Sequence, residues 1–320
     1  MRAWRCRGYG GPERLEQITL PTPQPRVGEV LVKIHATTVS SGDARVRALR
    51  LPRGFGPFGR LALGVFGPRQ PVLGTEFSGT IAAVGPGVTT WRCGDAVIGF
   101  PGIAMGSHAE YRIMPPDRPL VAKPAALDFE AAAALCFGGT TALDFLRRAE
   151  MRRGESLLVI GAAGAVGSAM VQLGRHLGAW VTAVVSPTNL DLARALGADV
   201  VIDRSAGDFL SRPATYDIIA DIVGATTFAR AAPSLREHGR YLAVNADLAG
   251  LFARRIGTKR SIAGPAPERP ADVQCLARLA AEGVFRPVIG RVFSFDELPS
   301  AHALVDTGRK HGSAVVRVAG

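Results

Sequence analysis

A chain of 320 residues with 47% hydrophobic and 20% charged residues has the make-up of a globular protein, and its length suggests two domains. Its four cysteines (Cys6, Cys93, Cys136, Cys275) form no CxxC pair and no cluster, which argues against a zinc ribbon or a disulfide framework and fits a reducing cytoplasm. The net charge of +11 invites a nucleic-acid partner, but the arginines are spread along the whole chain, so a basic surface suited to a phosphorylated cofactor is the expectation.

The N-terminal residues, Met1-Arg-Ala-Trp-Arg-Cys-Arg-Gly8, contain no apolar h-region, so no signal peptide is expected. Residues 1–122 then read as short strands between Gly and Pro turns. Val30–Ala36 alternates apolar and polar residues, and Thr80–Gly85 and Ala96–Phe100 are further strands of a small, partly closed β domain. Between Pro52 and Pro71, Gly and Pro break any regular element, while Phe55, Phe58, Leu61, Leu63 and Phe66 call for burial. That stretch reads either as a surface loop with tucked aromatics or as a mobile apolar lid over a substrate pocket. From Asp128 helix formers take over, in Glu130–Leu135 and Thr141–Arg148.

The most informative stretch follows. Ser156–Ile160 is a short apolar run, Gly161–Gly167 a glycine-rich turn, and Val166, Met170, Val171, Leu173 and Leu177 recur at helical spacing. A second apolar run, Trp180–Val185, comes after Gly178. This is strand, phosphate turn, helix, strand, the opening unit of a dinucleotide-binding fold. Gly164 lets backbone approach a pyrophosphate, and Gly167 lets the helix start close against the first strand. The helix N-terminus adds unpaired N–H groups for the phosphates. Ser156–Gly174 is uncharged, but its glycines and the lack of basic flanks argue against a membrane span, and no membrane partner is expected.

A helix over Asn189–Leu196 and strands at Val200–Ile202, Asp217–Val223 and Arg240–Val244 continue the alternation. Phe228–Leu235 reads as helical, and Ser261–Gly264 as the sixth and last strand. Strands alternating with helices mean a doubly wound parallel sheet, with the cofactor at the carboxyl ends of its strands. A helix over Asp272–Glu282 and a strand over Ala314–Val318 return to the first domain.

These residues resemble the medium-chain dehydrogenase/reductase superfamily over essentially the full length, and within it the zinc-independent quinone oxidoreductase (zeta-crystallin-like) branch. The resemblance rests on Gly8-Tyr-Gly-Gly-Pro12, Pro25-Arg-Val-Gly-Glu-Val-Leu-Val32, Pro71-Val-Leu-Gly-Thr-Glu-Phe-Ser-Gly79 and Ala83-Val-Gly-Pro-Gly-Val88. It continues through Gly94-Asp95, Phe137-Gly-Gly-Thr-Thr-Ala-Leu143, the Gly161–Gly167 turn, and Leu196-Gly-Ala-Asp-Val-Val-Ile-Asp203. It implies an α/β fold: a GroES-like β-rich catalytic domain (1–122 and 265–320) and a Rossmann doubly wound parallel-sheet domain that binds NADP(H) (123–264). It also implies a homodimer through the Ser261–Gly264 edge, with Leu248 to Ile256 nearby.

Where the family's zinc enzymes carry metal ligands, this chain has Ser40 for the first cysteine and Thr75 for the histidine. The hydroxyl that relays the alcohol proton falls at Gly42. Cys136 lies near the third ligand position, and one thiolate cannot hold zinc alone, so no metal is expected. Asp43 and Glu76 remain as polar survivors, either catalytic or holding the wall by hydrogen bonds. His35, His176, His238, His302 and His311 read as isolated surface or structural residues. His108 lies where the resemblance places a strand facing the cleft, and is a candidate proton donor.

The resemblance implies an NADPH-dependent, zinc-independent reductase of quinones or α,β-unsaturated carbonyl compounds, small molecules that take a hydride. Ser40, Asp43 and Thr141 are the candidate catalytic residues. Ala163, Gly164, Ala165, Val166 and Gly167 would contact the pyrophosphate, and Thr141, Val223 and Asn245 would border the rest of the cofactor. The second strand ends Val184-Val185-Ser186-Pro187, without the acid that an NAD site requires. Ser186, Thr188 and Asn189 can donate to a 2′-phosphate, and Arg204, just past the neighbouring third strand, should reach the same pocket. The alternatives are a free-standing enoyl reductase of a biosynthetic pathway and, in another class, an RNA-binding or structural zeta-crystallin-like protein.

Overall fold

The computed structural model describes residues 1–50, 56–246, 248–252 and 254–318. These fall into two compact units, one built from 1–50, 56–137 and 268–318, the other from 138–267.

The first unit is organised around the strand Val30–Val39. Its ten residues run past the expected end at Ala36, because Thr37, Thr38 and Val39 are β-branched and no turn residue intervenes before Ser40. It pairs antiparallel with Phe77–Val84 on one side and with Ser313–Arg317 on the other, and near its start with Tyr111–Met114. The sheet runs Ile289–Ser294, Ser313–Arg317, Val30–Val39, Phe77–Val84, Ala96–Gly99, Leu120–Ala122. Register shifts between Leu31 and Val32 and between Ile34 and Ala36 bend the central pair and increase its twist.

Trp4, Val32, Ile34, Leu73, Phe77, Ile81, Met114, Phe293 and Val316 fill the core beneath this sheet. Burying a ring such as that of Phe77 stabilises the fold by roughly 1.5–3 kcal/mol. A side chain at Gly99 would run into that ring, which is why the neighbouring strand ends in glycine. The hairpin Arg2–Cys6 with Leu15–Thr19 is tied on by the Trp4 indole, which donates to the Phe295 carbonyl at 2.9 Å.

Two features depart from expectation here. Ile289–Ser294 is a strand the sequence does not announce, since Val292 is exposed and the apolar alternation is poor. Gly56–Leu63 is helical, although irregular structure was expected, and Gly64 at φ 127° directly follows its last residue. The burial expected around it is absent at Leu61 and Phe66, which are exposed. Phe55 lies outside the described residues.

The second unit holds a sheet ordered Val200–Asp203, Trp180–Val185, Ser156–Ile160, Tyr216–Asp221, Leu235–Ala243, Lys259–Ala263, Arg255–Ile256. The first six strands are parallel, in the third-second-first-fourth-fifth-sixth arrangement of doubly wound dinucleotide-binding sheets. The helix Ala165–His176 lies close on Ser156–Ile160 because Gly174 leaves room there; a Cβ would sit 2.7 Å from a Leu157 methyl. Two expectations need correction. The sheet does not end at Ser261–Gly264, because Arg255–Ile256 turns back through Gly257 and Thr258 and forms the outer, exposed edge. The Phe228–Leu235 helix is shorter, because Pro233 sits in a 3-10 turn over Ala232–Ser234 and Leu235 already opens the next strand.

Asp221, at the carboxyl end of its strand, holds the turn that follows. Oδ1 accepts from the backbone N–H of Val223, Gly224 and Ala225 at 2.8–3.1 Å, and Oδ2 from that of Thr226 at 2.8 Å and from the Tyr241 hydroxyl at 3.2 Å. Asp221→Asn turns Oδ2 into a donor facing two donors. Urea unfolding should then show a loss of about 2–3 kcal/mol, against about 1 kcal/mol for Tyr241→Phe.

Candidate active site

In the first unit a polar cluster forms where Val30–Val39 ends. Ser40 caps the helix Ser41–Ala48 in a capping box with Asp43. The Ser40 hydroxyl donates to Asp43 Oδ2 at 2.6 Å, the Ser40 N–H donates to the same oxygen at 2.8 Å, and the Asp43 N–H donates back to Ser40 Oγ at 3.1 Å. Asp43 Oδ1 accepts from the Gly74 N–H at 3.0 Å, and the Thr75 hydroxyl donates to Ser40 Oγ at 3.5 Å. These bonds tie Asp43 to the Ser40 and Gly74 backbone.

Glu76 is buried at 1% exposure beside this cluster. The Thr38 hydroxyl donates to Oε1 at 2.6 Å, and the Phe137 N–H to Oε2 at 2.7 Å. Burial, with a smaller push from Asp43, raises the carboxyl from 4.5 to about 7 despite these donors. Burial together with Glu76 raises the Cys136 thiol well above its ordinary value. The half-buried Lys310 donates to the Gly312 carbonyl at 2.5 Å. Burial lowers its ammonium to about 8, while Glu76 pulls the other way. No motif marks Lys310, which lies in a short polar turn far along the chain from Glu76.

His108 is not a solvent-facing proton donor. It precedes the strand Tyr111–Met114, is fully buried, and its Nε2 lies 3.0 Å from the Thr38 carbonyl. A carbonyl only accepts, so Nε2 carries the proton. Burial lowers the pKa of the ring and disfavours the charged form. Nor is His302 an isolated surface residue. It is buried, its Nδ1 accepts from Arg47 Nε at 3.3 Å, and its ring meets His108 edge-to-face at 5.5 Å. The buried Arg47 guanidinium also donates to the Gly10 carbonyl and to Asp306, joining Ser41–Ala48 to Leu298–Asp306 and to the first turn of the chain.

In the second unit the Gly161–Gly167 turn sits at the carboxyl end of Ser156–Ile160. Gly164 caps the helix Ala165–His176 with no side-chain hydrogen bond, leaving the first N–H groups to other acceptors. A Cβ on Gly164 would meet nothing nearer than the Gly161 carbonyl at 3.9 Å, so that face is open. One on Gly167 would sit 2.8 Å from Ala162 Cα. Ala163 and Val166 are buried, and Ala165 is half-buried. Val223 lies over the turn, since a Cβ on Gly161 would be 2.6 Å from its methyl, and Asn245 donates to the Val223 carbonyl at 3.2 Å. Thr141 is half-buried on the helix Cys136–Arg148, one turn after Gly138, where a Cβ would sit 2.5 Å from the Ala165 carbonyl.

The second strand ends in a hydroxyl and amide cluster. Asn189 donates to Ser186 Oγ at 2.8 Å, and Thr188 Oγ1 lies 3.1 Å from the same atom. The Arg204 N–H donates to the Val185 carbonyl at 2.8 Å, which brings Arg204 beside Ser186 as the strand order predicts. Its side chain is exposed and makes no hydrogen bond or ion pair among the described residues.

Known proteins resemble this chain throughout its length. Residues 26–125 match the family model described as alcohol dehydrogenase GroES-like domain, and residues 196–316 the one described as zinc-binding dehydrogenase. The 2-methylene-furan-3-one reductase of Solanum lycopersicum is 30% identical over 99% of this chain and 79% of its own length. The NADPH-dependent alkenal/one oxidoreductase, chloroplastic, of Arabidopsis thaliana is 28% identical over the same shares. The solved quinone oxidoreductase of Coxiella burnetii superposes with a TM-score of 0.87 at 29% identity, covering 100% of this chain and 99% of that one. The chain belongs to the medium-chain dehydrogenase/reductase superfamily. It falls with the superfamily's quinone oxidoreductase-like members.

The zinc in one of those descriptions does not fit the residues here. Zinc takes thiolate, imidazole or carboxylate ligands. Ser40 and Thr75 offer hydroxyls bonded to one another, the Cys136 thiol is held protonated, and the oxygens of Asp43 and Glu76 are spent on N–H and O–H donors. Among the described residues no group of three or more His, Cys, Asp or Glu is placed to hold a metal ion. A dinucleotide does fit the other unit. The open face at Gly164 and the uncapped helix start suit a pyrophosphate, and the Ser186 cluster with Arg204 suits a further phosphate.

Glu76 generates a pH prediction. A carboxyl whose folded-state value is raised costs stability once it ionises, so the cost is absent below about pH 4.5 and complete above about pH 7. A glutamine can accept from the Phe137 N–H and donate to the Thr38 hydroxyl, matching the protonated acid. Glu76→Gln should therefore equal the wild type in urea unfolding at pH 4.5. It should gain on the order of 3 kcal/mol relative to it by pH 8.

Proposed function

We propose that this chain is an NADPH-dependent reductase of quinones or α,β-unsaturated carbonyl compounds that works without a metal. It is an oxidoreductase that uses NADP(H), in keeping with relatives whose names state that cofactor. The observation that carries the narrower reading is the donor set around Ser40. Oxidising an alcohol requires its hydroxyl proton to be taken up as hydride leaves, and zinc enzymes of this kind polarise that oxygen with the metal. Here hydroxyls stand at two ligand positions, Gly42 stands where the proton relay would be, and the Ser40 proton is committed to Asp43. An electron-poor double bond asks for less, because conjugation already polarises the carbon that accepts hydride.

NADPH when bound supplies the hydride. The residues supply position. In this reading the Gly161–Gly167 turn holds the pyrophosphate, Thr141, Val223 and Asn245 border the nicotinamide side, and Ser40 to Asp43 line the substrate side. Ser40 and Asp43 keep that wall in shape through their mutual bonds. The single proton that balances hydride transfer comes from solvent, since His108 is sealed off. The names of the tomato, Arabidopsis and Coxiella relatives, a furanone reductase, an alkenal/one oxidoreductase and a quinone oxidoreductase, support this substrate class.

The choice of NADPH rests on Ser186, Thr188, Asn189 and Arg204 standing where an NAD site has an acid. A charge-assisted contact to phosphate contributes about 1.5–3 kcal/mol, or roughly 10- to 150-fold in affinity. Arg204→Ala should weaken NADPH binding by about that factor and leave NADH nearly unchanged, as read by titrating both cofactors. Equal losses would refute the assignment. The purified protein should also reduce quinones or enones with NADPH, carry no stoichiometric zinc by elemental analysis, and keep its activity in a chelator.

A further inference from the structure

The turn after the Gly56–Leu63 helix exposes an apolar knob with no role in the site above. Phe66 is 93% exposed, Leu61 67% and Val65 53%. The backbone that carries them is firmly built. The Tyr9 hydroxyl donates to the Gly64 carbonyl at 2.7 Å, Gly67 packs on Gly8 so closely that a Cβ would lie 3.1 Å from its Cα, and Pro68 is buried. Arg69 braces the same turn, donating through its side chain to the Leu61 carbonyl at 2.8 Å and through its N–H to the Leu63 carbonyl at 2.7 Å. Arg60 stands over the Tyr9 ring at 6.0 Å. Both arginines are exposed, and neither forms an ion pair with a carboxylate among the described residues.

We propose that this knob, Leu61, Val65 and Phe66 between Arg60 and Arg69, is a docking surface for an anionic lipid bilayer. Apolar side chains flanked by uncompensated cations are the composition of interfacial anchors: the former enter the acyl boundary while the latter meet the headgroups. The net charge of +11 adds a general attraction to such a surface. Size separates this occupant from a second copy of the chain. Three such side chains offer roughly 400 Å², about half of the ~800 Å² per partner that a stable protein interface buries. The proposed contact is peripheral and departs from the sequence expectation of no membrane partner; no helix among the described residues is long and apolar enough to cross a membrane. The inference depends on this surface alone and stands or falls separately from the reductase reading.

The test is cosedimentation of the full chain with large unilamellar vesicles of phosphatidylcholine, with and without phosphatidylglycerol, at low and high salt. The chain should bind the mixed vesicles, and bind them less at high salt. Phe66→Ser should weaken binding about tenfold. Arg60→Gln with Arg69→Gln should abolish the preference for phosphatidylglycerol. Thermal unfolding of each variant shows that the fold is intact. Absence of binding to the mixed vesicles, or equal binding by wild type and Phe66→Ser, would overturn the proposal. Two other outcomes would also overturn it: self-association lost in Phe66→Ser, which assigns the knob to a second copy, and a changed KM for a soluble enone without vesicle binding, which makes it a pocket cover.

Discussion

Two buried carboxyl groups, with no guanidinium partner among the described residues, set the terms for the first unit. Asp43 and Glu76 must recover inside the protein the solvation they lose. They do so with donors from separate parts of the chain: Thr38 and Ser40 at a strand end, Gly74 in a loop, and Phe137 at a helix start. Each bond fixes one loop against another. The region is therefore held by hydrogen bonds at the same positions where zinc-containing relatives would hold an ion. The second unit repeats the principle with Asp221, whose two oxygens gather four successive backbone N–H groups.

The two carboxyl sites differ in what they cost. Asp221 has five donors, whereas Glu76 has two strong donors and near-total burial, and desolvation raises its carboxyl. A group poised near neutrality beside Thr75 and Cys136 makes the electrostatics of that wall sensitive to small changes in its surroundings. In the proposed reaction the wall is shaped by hydroxyls and amides, so the acceptor itself has to bring the polarisation. In that proposal the preference for electron-poor substrates rests on Ser40 giving its proton to Asp43.

Much of this was legible in the sequence because local rules and global topology agreed. The Gly161–Gly167 turn announced its strand and helix, and the alternation that followed predicted the sheet order and hence the pairing that puts the Arg204 backbone against Val185. Ser40 and Thr75 could be read by position alone. What escaped was non-local or locally ambiguous. Ile289–Ser294 lacks apolar alternation and is a strand only because Ser313–Arg317 lies alongside. The glycines of 56–64 suggested disorder of the pattern, yet Leu61 to Leu63 propagate a helix. His302 looked solitary because the Arg47 cluster that gathers it spans the chain from Gly10 to Asp306, and the burial of His108, a candidate proton donor by position, leaves no local mark. Pattern reading sees neither partner nor burial for such groups.

The short return strand Arg255–Ile256 has a consequence for the life of the protein before it is fully folded. A parallel sheet assembles slowly, and its outermost ladder is an open template for any passing chain. Here the template is the two residues Arg255 and Ile256, is preceded by a second arginine, Arg254, and is cut off at once by the Gly257 turn at φ 58°. A stranger approaching that rim meets charge and too few free amides to register against. The hairpin thus serves as a gatekeeper, letting the sheet be completed at crowded concentrations without seeding fibrils from its own margin.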